Sequence, residues 1–282
     1  MRVVVTGASG NVGTSVLEAL GREAKVEEIV GIARRVPQVE MPKVHWFGAD
    51  VVDDDLVPIF SGADAVVHLA WAIQPSREER VTERINVEGS RRVFEAAARA
   101  GVRAIVHASS VGAYSPGLIF KSEAASVPLI PRVPRLRFQA VHSRDVGEAY
   151  RQAVVRDVQG AFNLAAEPEI GVEELQEFFG ARSFPLPAGA LRAAADVTWK
   201  LRLQPSSPGW IDLALGVPMM DSGRAREELA WEPEFSSLEA LDELLQGMRN
   251  AEGAPTPPLD PKAGGPMRAR EVATGVGQRQ GT

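Results

Sequence analysis

The chain has 282 residues, enough for one large domain or two small ones at roughly 150 residues each. Hydrophobic residues make up 45% and charged residues 24%, which excludes a wholly disordered chain. The balance of 31 Lys+Arg against 37 Asp+Glu leaves a net charge of −6, a poor match to nucleic acid or an anionic membrane. Cysteine is absent, so there is no disulfide framework, cysteine zinc site, iron–sulfur cluster or cysteine nucleophile. No apolar run approaches the ~18 residues of a membrane span. Met1-Arg2 leads straight into an apolar strand without a signal-peptide layout, so a cytoplasmic setting is expected.

In chain order, Val3-Val4-Val5 is a short β-branched strand that runs into a glycine-rich turn. A helix follows over Asn11 to Leu20, with Val12, Val16, Leu17 and Leu20 on one face. Strands are expected at Val26 to Ile32, Val44 to Phe47, Ala65 to Leu69 and Ala104 to His107. Between them, Asp53 to Phe60 suits a short helix with an acidic first turn. Arg77 to Ala100 suits a long one, in which Val81, Ile85, Gly89, Val93 and Ala97 recur every four residues and Gly101 supplies the C-terminal cap. Strands alternating with helices imply a doubly wound parallel α/β sheet of the Rossmann type.

From Tyr114 to Pro134 the pattern breaks under repeated Pro and Gly. Leu136 to Val141 then reads as a strand, Asp145 to Val155 as a helix, Ala161 to Leu164 as a strand and Val172 to Phe179 as a helix. The expected organisation is a dinucleotide-binding domain over 1–165 and a smaller, mostly helical substrate-side part over 166–250. Its clearest helices are Leu191 to Leu203 and Leu238 to Met248. Residues 251–282 hold 11 Gly or Pro and no aromatic residue, the composition of a loosely attached tail.

The sharpest local signal is Thr6-Gly7-Ala8-Ser9-Gly10-Asn11-Val12-Gly13, set between a strand and a helix. Gly7 permits a tight turn, Gly10 admits a pyrophosphate to the backbone, and Gly13 lets helix and strand pack closely. The helix N-terminus then offers free N–H groups to the phosphates. The second strand ends in Arg34-Arg35, with no carboxylate for ribose hydroxyls; arginine instead suits a 2′-phosphate, so NADP(H) is expected in preference to NAD(H).

With its Gly-x-x-Gly-x-x-Gly spacing, this loop resembles that of the extended short-chain dehydrogenases/reductases of the NAD-dependent epimerase/dehydratase type. Further segments resemble the same family. Asp50-Val51 matches the pair that touches adenine, and His68-Leu69-Ala70-Trp71 the segment along the cofactor. Asn86-Val87-Glu88-Gly89 matches Asn-Val-x-Gly, and Ser109-Ser110-Val111-Gly112-Ala113-Tyr114 matches Ser-Ser-x-x-x-Tyr. His142-Ser143-Arg144-Asp145-Val146 and Leu229-Ala230-Trp231-Glu232-Pro233 match two later motifs. The resemblance implies a cofactor site made of Gly7, Ser9, Gly10, Asn11, Val12, Gly13, Arg34, Arg35, Asp50, Val51, Leu69, Ala70, Asn86 and Ser109. It also implies a small hydroxyl or carbonyl substrate such as a nucleotide sugar.

Each of these residues has a plainer reading too. Asp50 would cap the helix near Asp53, and His68 and His107 would be core histidines. Asn86 would bond a neighbouring backbone group, and Asp145 would cap its helix. No histidine has partners at metal-ligand spacing, so no metal is expected.

The family's chemistry rests on a serine, a tyrosine and a lysine one helical turn later, and by resemblance Ser110 is the serine. No Tyr-x-x-x-Lys exists here: Tyr114 is followed four residues on by Leu118, and Tyr150 by Val154. Tyr114 matches the family's other tyrosine; it and Lys121 are the substitutes within reach in sequence. Only 31 residues separate Ser110 from His142, where the family fits a helix and a sixth strand. The chain is therefore expected to lack one strand–helix unit and to be impaired in proton transfer. A non-catalytic NADP(H)-binding regulator, like atypical family members, is the alternative. The family's homodimer uses the long helix and the helix missing here.

Overall fold

The computed structural model describes residues 1–72, 79–109, 128–201, 208–216 and 218–250, together with 252–253, 255–256 and 258–259. Five parallel strands form the main sheet: β1 (Arg2–Thr6), β2 (Glu28–Ala33), β3 (Val44–Gly48), β4 (Ala65–His68) and β5 (Ala104–His107), in the order β3-β2-β1-β4-β5. The chain winds from β1 outward to β3, then crosses back to β4, which makes the gap between β1 and β4 the switch point of the sheet.

Alternation along β1 decides the two layers. Val3 and Val5 face one side, packed with Val16, Leu17 and Leu20 of α1 (Asn11–Arg22) and Val154 of α5 (Ser143–Val155). Val4 faces the other, with Phe60 of α2 (Val57–Phe60) and Val93, Ala96 and Ala97 of the long helix. Helix α5 crosses α1 so closely that a Cβ on Gly147 would lie 2.5 Å from the Ser15 carbonyl oxygen. Arg151 of α5 pairs there with Glu23 and Glu148; the Lys25 N–H and then Arg151 hold the Glu23 carboxyl below the ordinary range, and Arg151 holds that of Glu148.

The long helix is continuous but not uniform: α3 (Glu79–Glu83), a π-helical turn (Arg84–Gly89) and α4 (Ser90–Arg99). An exact four-residue repeat drifts around an α-helix of 3.6 residues per turn, and a wider turn absorbs part of that drift. Gly101, at φ +72°, closes the helix, with Val102 N–H donating to the Ala97 carbonyl.

The structure differs from expectation in four places. Leu136 to Val141 and Ala161 to Leu164 form no strands. In the first, Phe138 makes a single antiparallel bridge with Ile170, and the stretch does not join β5. Conversely, β6 (Leu129–Arg132) and β7 (Arg182–Pro185) pair in parallel, although each contains a proline. The helix expected over Asp53 to Phe60 begins only at Val57; Asp55 accepts from the Val57 N–H at 3.1 Å, and the acidic run forms the preceding turn. Helices α6 (Val172–Phe179), α7 (Ala188–Lys200), α8 (Gly209–Gly216), α9 (Gly223–Leu229) and α10 (Ser237–Arg249) complete the described chain. None of its helices is long and apolar enough to cross a membrane.

Candidate functional site: the carboxyl end of the sheet

All five strands end at one edge, and the loops leaving them continue the ladder for a residue or two. Ala8 N–H donates to the Ile32 carbonyl, Leu69 N–H to that of Thr6, and Ala108 N–H to that of His68, at 3.0–3.2 Å. Gly7, Arg34, Asp50, Leu69 and Ser109 therefore stand along one crevice mouth.

The glycine loop meets its steric expectations at two of the three positions. Gly7 has φ +71°, and a Cβ there would lie 2.7 Å from the Leu69 carbonyl carbon and oxygen. A Cβ on Gly13 would come within 2.4 Å of the Gly7 carbonyl oxygen. Gly10 is the N-cap of α1, and no side chain caps that helix. The first N–H groups of a helix lack intrahelical acceptors, so this end faces the crevice with donors available to an anion. Ser9 is buried beside it, Val12 half-buried and Asn11 exposed. Arg34 and Arg35 follow β2 directly, exposed and partly exposed, with no hydrogen bond or ion pair to the described residues.

Two loops form the crevice walls, and the long helix holds both. In the wall after β3, the Asp50 carboxylate accepts from Val52 N–H at 2.9 Å, and Asp50 N–H donates to Asp54 at 2.7 Å. Asp50 thus closes a turn over 50–54 rather than capping a helix at Asp53. Buried Val51 packs against Gly89, where a Cβ would lie 2.9 Å from the Val51 Cγ2. In the wall after β4, Asn86 accepts from Ala72 N–H at 2.8 Å and donates to the Ala72 carbonyl at 3.0 Å. Its amide bonds backbone, as the plainer reading has it, and that backbone continues the Leu69-Ala70 segment. Arg92, which sequence reasoning missed, donates to the Val51 and Asp54 carbonyls at 3.3 and 2.8 Å. No spacing rule singles out such a residue, because its partners lie 38 and 41 positions away.

Beneath the crevice, His68 is fully buried, with Nδ1 2.7 Å from the Thr6 hydroxyl and Nε2 3.0 Å from that of Ser90. Burial, and secondarily the charge of His107, lower its pKa to about 4, so the ring is neutral at pH 7. His107 stacks on it at 5.1 Å between ring centroids, and its own pKa is also lowered by burial. His107 Nδ1 and Trp71 Nε1 are buried without partners among the described residues. His68 is a satisfied core histidine that ties β1, β4 and the long helix together.

Asp145 does not cap α5. That role falls to His142, whose Nδ1 accepts from Arg144 N–H at 3.2 Å. The Asp145 carboxylate instead accepts from the N–H groups of Glu234 and Phe235, at 2.9 and 3.2 Å, while the Asp145 carbonyl accepts from the Trp231 indole at 2.7 Å. The two late motifs form one structural lock. Ser110, Tyr114 and Lys121 lie outside the described residues, and no group of three metal-ligating side chains occurs among those described.

Several known proteins are similar to this chain, some over nearly all of it and some over less than half. An uncharacterized protein of Mycobacterium tuberculosis is 26% identical over 282 residues, an alignment that takes in 90% of this chain and 31% of that protein. The chain thus spans about a third of that relative's length. UDP-glucose 4-epimerase of Mycolicibacterium smegmatis is 33% identical over 125 residues, 40% of this chain and 39% of the enzyme. Among solved structures, the NADPH-dependent quinone oxidoreductase QOR2 of Escherichia coli, complexed with NADPH, superposes with a TM-score of 0.65. It is 16% identical and covers 86% of this chain and 99% of its own, a likeness of fold. Residues 3–134, which carry the glycine loop, the five-stranded sheet and both walls of the crevice, match the model of the NAD dependent epimerase/dehydratase family.

Proposed function

We propose that the chain binds a nicotinamide dinucleotide across the carboxyl end of its sheet, with NADP(H) preferred to NAD(H). The observation that carries this reading is the uncapped N-terminus of α1 behind Gly7 and Gly13, flanked by two arginines that bond nothing else described. A dinucleotide fits that arrangement. The α1 N–H groups would hold the pyrophosphate, and Arg34 and Arg35 would fork onto a 2′-phosphate. Asp50 and Val51 would wall the adenine, and Leu69 and Ala70 would run beside the ribose. Residues 1–165 form the dinucleotide half in this reading, and 166–250 the side that receives a small hydroxyl or carbonyl compound such as a nucleotide sugar.

When bound, the nicotinamide gives or accepts hydride at its C4. Ser110 would orient the substrate oxygen. The proton has no Tyr-x-x-x-Lys to carry it, and a general acid–base group is worth ~10²–10⁴-fold in rate. We therefore propose slow turnover for an epimerase, dehydratase or reductase of this type. The same absence favours a second reading, a non-catalytic NADP(H)-dependent regulator.

Thermal-shift titration with NADPH and NADH tests the binding. Assays of nucleotide sugars, steroids and simple ketones, followed by nicotinamide absorbance, then separate the two readings. Turnover of any carbonyl compound supports the enzyme, and binding without turnover supports the regulator.

A further inference from the structure

The three attachments of the long helix to the crevice walls do not fall on one helical stripe. Asn86, inside the π turn, holds Ala72 of the wall after β4. Gly89, at the end of that turn, lies against Val51 and Val52 of the wall after β3. Arg92, one turn later, holds the Val51 and Asp54 carbonyls of the same wall. Arg84 adds an exposed ion pair to Asp53. A π turn takes one residue more than an α turn, so it rotates the helical segment after it relative to the segment before it. That rotation lets one rigid helix reach both walls at once, Asn86 on one side and Arg92 on the other.

The Asp50–Asp54 turn is closed by its own short bonds, and Arg92 donates to the Val51 and Asp54 carbonyls from outside it. Arg92 is half-buried, and its guanidinium makes those two bonds in a fork that lysine cannot copy.

We propose that the π turn makes the long helix a two-sided clamp on the crevice, in which Arg92 is a positioning residue for the adenine half of the dinucleotide and Asn86 for the remainder. This rests on the nucleotide-binding reading above; it adds Arg92 to that reading and has Asn86, which the family resemblance puts in the cofactor site, act through the Ala72 backbone.

The test is calorimetric binding of ADP, NADH and NADPH to the full chain and to Arg92→Ala, Arg92→Lys and Asn86→Ala. Amide hydrogen exchange is measured on the same samples. Arg92→Ala should weaken ADP and both dinucleotides in equal proportion, ~10-fold, with exchange accelerated at residues 50–54 and not at Ala72. Arg92→Lys should recover part of the affinity. Asn86→Ala should leave ADP binding unchanged, weaken the dinucleotides and accelerate exchange at Ala72.

A merely structural role would lower the melting temperature and weaken all three ligands alike in both variants, and that result overturns the clamp. So does an Arg92→Ala protein that binds all three as wild type does. A wild-type chain that binds none of the ligands overturns the nucleotide reading itself, and exchange confined to the predicted wall in each variant would then show the clamp as structure alone.

Discussion

Lowering the pH from 7 to 4.5 should destabilise this protein through His68. The ring is fully buried, both nitrogens are engaged by Thr6 and Ser90, and its pKa is lowered from 6.5 to about 4. The unfolded chain therefore takes up a proton near pH 6.5 that the folded chain refuses until about pH 4. Stability from this group is complete above the unfolded value and is lost as pH falls from 6.5 towards 4. At ~1.4 kcal/mol per pH unit the full loss is about 3.5 kcal/mol, of which about 2.5 kcal/mol has gone by pH 4.5. His107, held down chiefly by burial, adds in the same direction. Glu23, Asp64 and Glu148 have lowered carboxyl pKa values, so their contributions begin to be lost as pH falls to the ordinary values of 4.5 and 3.8, which touches only the bottom of this window. Urea unfolding followed by circular dichroism at half-unit pH steps measures the slope. His68→Asn, which keeps a donor and an acceptor near Thr6 and Ser90, should be less stable at pH 7 and show a shallower slope. Equal slopes in the two proteins between pH 7 and 4.5 would refute the assignment.

Other outcomes rest on single contacts. Gly147→Ala drives a Cβ into the Ser15 backbone at the α1–α5 crossing and should cost about 2–4 kcal/mol in urea unfolding. Asp145→Ala strips the acceptor from the Glu234 and Phe235 N–H groups and should cost ~2–4 kcal/mol, with limited proteolysis near residue 234 accelerated well before global unfolding. Arg34→Ala combined with Arg35→Ala should weaken NADPH by at least about tenfold in calorimetry and leave NADH nearly unchanged. Equal losses for the two cofactors would remove the 2′-phosphate role.

The legible features of the sequence were local ones. The strand, glycine turn and helix at residues 2–22 announce themselves because β-branched periodicity, turn glycines and helical periodicity succeed one another without a break. Gly101 as a helix cap is legible for the same reason. The β6–β7 pair was not, since Pro131 and Pro185 mark their segments as non-strand, and the pairing spans more than fifty residues. Leu136 to Val141 misleads in the opposite sense. Its alternation comes from lining a small apolar void with Ile170, Val172 and Leu175, not from a ladder.

In the site, Gly7 and Gly13 were readable because a steric need selects glycine. The Asp145 lock was not, because a carboxylate three residues into a helix looks like a cap until Glu234 and Phe235 are seen to donate to it. The π turn left a trace in the exact four-residue repeat of Val81, Ile85, Gly89, Val93 and Ala97, which an α-helix alone does not explain.

A dinucleotide site formed by the glycine loop and the two arginines is the central claim. A thermal-shift titration of the purified chain with NADPH and then NADH, at matched concentrations, tests this most directly. A ligand that binds only the folded state must raise the melting temperature, by the equivalent of ~2.7 kcal/mol at a hundred times its Kd. The expected result is a clear rise with NADPH and a smaller one with NADH. A cooperative melt that neither cofactor shifts would contradict the account.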